Sequence, residues 1–231
     1  MRGWLFAALL CASTAEAKGT AKVSFLEGAA ESVAQTNSAV APTGAWRPLT
    51  LGATLNQGDA VRTGPATRLE LQLSDGSRVR LAANTTLTLT TTHFGKGERK
   101  VSLGLWAGQV WAKVTKLVSG DTNFEVSTHN AVAGVRGTSF AVLAQADASS
   151  VVKVYAGTVG VKKQNAAKAG RMQVDGPARV DRKQWEEVIT TAMKQVKVSA
   201  LGEISPLEDF VDQGDQAQWA AWNQERDAAI Q

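Results

Sequence analysis

Leu69, Leu71 and Leu73 alternate with Arg68, Glu70 and Gln72, and after the Asp75-Gly76 turn Val79 and Leu81 resume the alternation against Arg78 and Arg80. A period of two places every second side chain on one face, the pattern of a half-buried strand. The pattern recurs at Leu87 and Leu89, at Val101, Leu103 and Leu105, at Val110, Ala112 and Val114, and at Phe124 and Val126. Phe140 with Val142, Val152 with Val154, and Val159 with Val161 continue it. Turn glycines punctuate the series at a short spacing: Gly64 to Gly76 is twelve residues, Gly97 to Gly108 eleven, and Gly108 to Gly120 twelve. Short strands at this spacing predict an all-β body of sandwich, barrel or irregular solenoid type. The absence of helix-length periodic segments between them argues against a parallel α/β sheet.

After Lys162 the pattern changes. Gln164 to Gly170 is polar and rich in Ala and Lys, the composition of a linker. Short strands are expected near Met172–Val174 and Ala178–Val180. Asp181 and Gln184 stand at capping-box spacing ahead of Trp185, Val188, Ile189 and Val196, which predicts a helix, whereas Val196-Lys197-Val198 also fits a strand. A better helix is predicted over Asp215 to Ala229, with Trp219, Trp222 and Arg226 on one face.

The N-terminus adds a compartment. Met1-Arg2-Gly3 is a short basic start, Trp4 to Ala12 an apolar stretch, and Ala15-Glu16-Ala17 a small-x-small site. That order predicts a secretory signal cleaved before Lys18, with an apolar part too short for a permanent span. Three parts are therefore expected: a signal at 1–17, a β body at 18–162, and a C-terminal extension at 163–231. The expected localisation is periplasmic or secreted, without a stable membrane anchor. Cys11 is the only cysteine and lies inside the signal, so the cleaved chain would have no disulfide, thiolate metal site or cysteine nucleophile. The net charge of +4 is ordinary for 231 residues, and no basic block marks a nucleic-acid surface.

Candidate chemistry is sparse. His93 and His129 stand 36 residues apart without a second ligand at useful spacing, so neither a metal nor another cofactor is expected. Ser139 lies inside an alternating strand and not on a strand-to-helix elbow. Asn84-Thr85-Thr86 fits a glycosylation acceptor or a simple turn. Thr86, Thr88, Thr90 and Thr92 line one strand face, as a structural ladder or as a hydroxyl row for a glycan. Trp106 continues the core strand begun at Val101, whereas Trp111 is out of phase with Val110 and Ala112. Trp111 therefore either packs beneath the C-terminal extension, with Trp219 and Trp222 as its partners, or forms with them a recognition surface.

The segment Thr128 to Val142 reads THNAVAGVRGTSFAV, with Gly134 and Gly137 bracketing Arg136. Two glycines around one arginine suggest a bulge or tight corner where backbone approaches closely, with the guanidinium donating to nearby carbonyls. Gly134, Val135, Arg136, Gly137, Thr138 and Phe140 resemble the signature strand of the FecR family. Gly58-Asp59-Ala60-Val61-Arg62-Thr63-Gly64, the hairpin from Leu69 to Leu81, the strand around Gly108 and that around Gly157 resemble further FecR motifs in the family's order. The resemblance spans about Val23 to Val161. It implies a solenoid-like or sandwich-like periplasmic domain, which in regulatory members receives a signal from an outer-membrane TonB-dependent receptor. Those members pass it through a transmembrane helix to a cytoplasmic anti-sigma segment, and neither is expected here. The six motif residues are expected to be structural.

The leading expectation is thus a non-catalytic binding module of the envelope that contacts an envelope protein. A module for peptidoglycan or another polysaccharide is the alternative, and a hydrolase, which would need His129, an acid and a nucleophile within hydrogen-bond reach, ranks last.

Overall fold

The computed structural model describes residues 21–34, 40–95, 98–116, 121–135, 137–164 and 192–230. Sixteen strands are formed among them, joined in one continuous sheet. In chain order these are β1 (Ala21–Glu27), β2 (Ala30–Val33), β3 (Arg47–Pro48), β4 (Thr54–Leu55), β5 (Ala60–Thr63), β6 (Arg68–Leu73), β7 (Arg78–Leu81) and β8 (Thr86–Gly95). They are followed by β9 (Glu98–Lys113), β10 (Asp121–Ser127), β11 (Ala131–Val135), β12 (Ser139–Ala144), β13 (Ser150–Ala156), β14 (Val159–Lys163), β15 (Lys194–Val198) and β16 (Glu208–Asp209). One helix, α1 (Gly214–Ala228), closes the chain.

The sheet is folded into two layers around one core. The first layer runs β4-β1-β6-β7-β9-β12-β13-β15-β16, and the second runs β3-β2-β5-β8-β9-β10-β11-β14. β9 belongs to both, because its Glu98–Ala107 part pairs with β8 and its Gly108–Lys113 part pairs with β7 and β12. Every pair is antiparallel except β9 with β10. The alternating residues meet between the layers: Leu69, Leu71 and Val79 come from the first and Leu103, Phe124 and Val126 from the second, all fully buried. Phe124 and Phe140 meet edge to face across the core, with ring centroids 6.4 Å apart.

The chain passes between layers at a row of corners, and the same contact recurs there. At Gly28, Gly108 and Gly157 the backbone takes φ of +87°, +84° and +87°. A threonine from the neighbouring corner sits against each glycine. Thr67 Oγ1 donates to Ala29 O and accepts from Ala29 N, both at 3.1 Å. Thr85 Oγ1 donates to Gln109 O at 3.2 Å and accepts from Gln109 N at 3.0 Å. Thr138 Oγ1 donates to Thr158 O at 3.0 Å. A Cβ on Gly108 would lie 2.4 Å from Thr85 Oγ1 and 2.7 Å from Asn84 O, so this corner requires glycine for space as well as for φ. Glycine and threonine together crease the sheet.

Three expectations are corrected. Gly134 is an ordinary ladder residue, paired with Glu125 on one side and Gly160 on the other, and the corner falls at Gly137 with φ +61°. The threonine row of β8 does not keep one face, because the register shift at Leu89/Thr91 turns Thr92 inward opposite Val101, whereas Thr88, opposite Gly104, is buried on the outer face where Trp106 bonds to it. Trp106 points away from the core that Leu105 enters, and it is 36% exposed.

The extension is not a separate body. β15 pairs with β13 and buries Val196 and Val198, so the strand reading of that segment is the observed one. The terminal helix lies within one residue of its expected ends. The signal at 1–17, the linker beyond Gln164, the strands expected near 172–174 and 178–180, the capping box at Asp181 and Arg136 lie outside the described residues.

Candidate functional site

One row of side chains crosses the outer face of the first layer. Cross-strand pairing aligns Phe25, Glu70, Arg80, Trp111, Ala141 and Lys153, each opposite the next. Read along their own strands, these residues belong to the solvent side of the alternation. Glu70, Arg80, Trp111 and Ala141 are nevertheless buried, and Phe25 and Lys153 half-buried, because α1 and the segment before it lie across them.

Trp111 is fully buried, and its indole N–H donates to Asp227 Oδ2 at 3.1 Å. Its ring packs on Tyr155 at 4.2 Å. Trp111, Ala141, Trp219 and Ala220 form a small apolar cluster separate from the main core. Trp219 is 7% exposed and stacks on the half-buried Trp222 at 5.2 Å. Trp111, Trp219 and Trp222 are therefore brought together, but as the contact between tail and sheet. The reading of Trp111 as an exposed recognition residue is corrected by its complete burial.

Charged groups surround that cluster. Arg80 is completely buried between Glu70 and Asp227, each 2.6 Å away. Arg80 Nη1 also donates to Asn223 O at 3.3 Å. Glu70 accepts further from Ser24 at 2.7 Å, from Arg78 at 3.4 Å and from Arg226 at 3.3 Å. Burial pushes the Glu70 carboxyl up, but hydrogen bonds from Arg80, Ser24 and Arg226, with the Arg80 charge, outweigh it and hold the group below the usual carboxylate range. The Arg226 guanidinium also lies over Phe25 at 4.4 Å and Trp222 at 5.0 Å. A second clamp holds the segment before α1. Asp212 accepts from Lys153 Nζ at 2.6 Å and from Tyr155 Oη at 2.7 Å. Burial first, and the Asp212 carboxylate second, raise the Tyr155 phenol well above its ordinary range.

Such a lattice can hold a helix, but it offers no reactive group. Ser139 Oγ donates to Asp227 Oδ2 at 3.1 Å. His129 is exposed, and His93 stands 3.9 Å from Glu98 at the exposed end of β8. Among the described residues no group of three or more His, Cys, Asp or Glu side chains could hold a metal ion. Of the motif residues, Val135 and Phe140 are buried in the main core, Gly137 makes the corner against Lys116, and Thr138 carries the corner hydroxyl.

Between the first turn of α1 and the row of corners lies a cleft of about 740 Å³. Gln109, Leu143, Gln145, Asp215, Gln216 and Trp219 line it, with Ala82 and Ala83. Gln216 Nε2 donates to Gln109 Oε1 at 3.0 Å. Sequence patterning could not locate this cleft, because it is assembled from separate corners of the sheet and a helix much later in the chain.

These features define a two-layer β domain sealed on one face by its own tail. Residues 59–160 match the family model described as FecR protein, so the chain carries a FecR domain. Two crystal structures of a "putative anti-sigma factor" from Parabacteroides distasonis ATCC 8503 are similar, at 24% and 23% identity and a TM-score of 0.47 each. Both matches cover 71% of this chain and 64% of the other, so the chain spans about two thirds of the length of those proteins. No curated protein matches the chain. Among the described residues no helix is long and apolar enough to cross a membrane.

Proposed function

We propose that the chain is an exported, non-catalytic binding module of the cell envelope, contacting another envelope protein in a signalling-related role. The FecR domain over residues 59–160 carries this reading. The fold supports it: polar and charged side chains on the first layer are used to fix the tail, and the chemistry left open is the polar cleft beside it. Periplasmic crosslinking with the tagged chain, followed by capture, should retain a specific envelope protein. Retention of none would count against the proposal.

A second reading, binding to peptidoglycan or another polysaccharide, is favoured by one observation. The 36%-exposed Trp106 donates its indole N–H to Thr88 Oγ1 at 3.0 Å, which fixes a ring on the outer face of the second layer. A held aromatic face suits stacking against a sugar ring. Sedimentation with purified peptidoglycan that is lost in Trp106→Ala would favour this reading over the first.

A further inference from the structure

We infer that the cleft between α1 and the corners binds a short, extended peptide segment through the amides of Gln109 and Gln216. The inference rests on the binding-module reading above and names the chemistry of its contact. Gln109 and Trp219, both 7% exposed, line this cleft. Gln109 Nε2, Gln216 Oε1 and Trp219 Nε1 have no hydrogen-bond partner, and they are three of the six buried side-chain atoms in that condition among the described residues. Buried polar groups are nearly always paired, so their concentration at one cleft points to a ligand that supplies the partners.

The geometry selects the ligand. The two glutamine amides already share one hydrogen bond, which leaves one donor and one acceptor side by side. Exchanging the N and O positions of both amides leaves the same pair over. In an extended segment a residue's own N–H and C=O, from the two peptide groups that flank it, point to the same edge, so one residue satisfies both at once. Small apolar side chains fit the wall formed by Ala83 and Leu143. A sugar is the poorer match, because the Trp219 ring is buried against Trp222 and offers no open face for stacking.

The probe is acetyl-Ala-Ala-Ala-amide, titrated into the ¹⁵N-labelled chain. The side-chain NH₂ signals of Gln109 and Gln216 and the indole N–H signal of Trp219 should shift together and saturate. Gln109→Leu removes both polar atoms at similar volume and should weaken binding at least tenfold without lowering thermal stability. Signals that stay fixed at tens of millimolar peptide, or that respond to chitotriose and not to peptide, would overturn the inference. Capture of an envelope protein undiminished in Gln109→Leu would overturn the cleft assignment while leaving the binding-module reading intact.

Discussion

The indole N–H of Trp111 on β9 and the carboxylate of Asp227 on α1 meet at 3.1 Å, across 116 residues of chain. The same carboxylate accepts from Arg80 at 2.6 Å and Ser139 at 3.1 Å. One side chain thus satisfies donors from β7, β9 and β12, and its removal strands Trp111 and Ser139 and leaves Arg80 with Glu70 as its one carboxylate partner. Breaking a buried ion pair from one side costs about 3–5 kcal/mol when the other charge is left unpaired, and Arg80 keeps Glu70 at 2.6 Å, so the loss here falls near the lower end. Asp227→Ala should lose stability of that order in urea denaturation followed by tryptophan fluorescence. A loss below about 1 kcal/mol would place the pair in the weak class of exposed ion pairs.

Trp111→Ala removes the largest fully buried side chain among the described residues. Truncating a buried aromatic costs about 3–5 kcal/mol through lost transfer energy and the cavity left behind. Calorimetry should therefore show a large fall in melting temperature for Trp111→Ala. Trp106→Ala, on an exposed ring, should change it little. Comparable shifts in the two variants would contradict the burial of Trp111.

The corners make a sharper comparison. Gly52 and Gly108 have nearly the same left-handed φ, +83° and +84°, but a Cβ on Gly52 would meet nothing within 4 Å. Gly52→Ala should cost about 1–2 kcal/mol, the conformational term alone. Gly108→Ala carries the same term plus the clash with Thr85 and Asn84 O. It should cost clearly more, read as a lower denaturation midpoint. Equal midpoints would show that the Thr85 contact yields freely.

Local alternation made the hairpin from Leu69 to Leu81 legible, since each strand there keeps its period and Asp75-Gly76 marks the turn. It failed at Thr86 to Thr92, where the register shift at Leu89/Thr91 turns Thr92 inward and Thr88 is buried beside Trp106. It also misled at Arg80 and Glu70, which sit on the outward phase of their strands and read as solvated charges. Their burial depends on α1, more than 140 residues further along the chain, and nothing local announces it. Trp111 did carry a signal: a large apolar side chain on the outward phase needs a cover, and Trp219 and Trp222 at helical spacing supply it. The cleft carried none, because glutamines and alanines at scattered corners have no period to read.

The clamps beneath the tail should also limit the pH range of the folded state, with opposite signs. Glu70 faces Arg80 and Arg78 from β7, Arg226 from α1 and Ser24 from β1. Its pKa in the folded chain is depressed, so the stability it contributes is complete above the unfolded carboxylate value, about 4.3. That contribution fades as pH falls through the lower folded value. Tyr155 faces Asp212, which Lys153 shares, and its pKa is raised. Its contribution is complete below the unfolded phenol value, about 10, and fades above it. Stability against pH should therefore decline at both ends. Glu70→Gln should flatten the acid limb and leave the alkaline limb unchanged, whereas Tyr155→Phe should do the reverse. Urea midpoints measured from pH 3 to pH 11 would separate the two. An acid limb as steep in Glu70→Gln as in the parent chain would assign acid sensitivity to other carboxylates and detach it from the docking of α1.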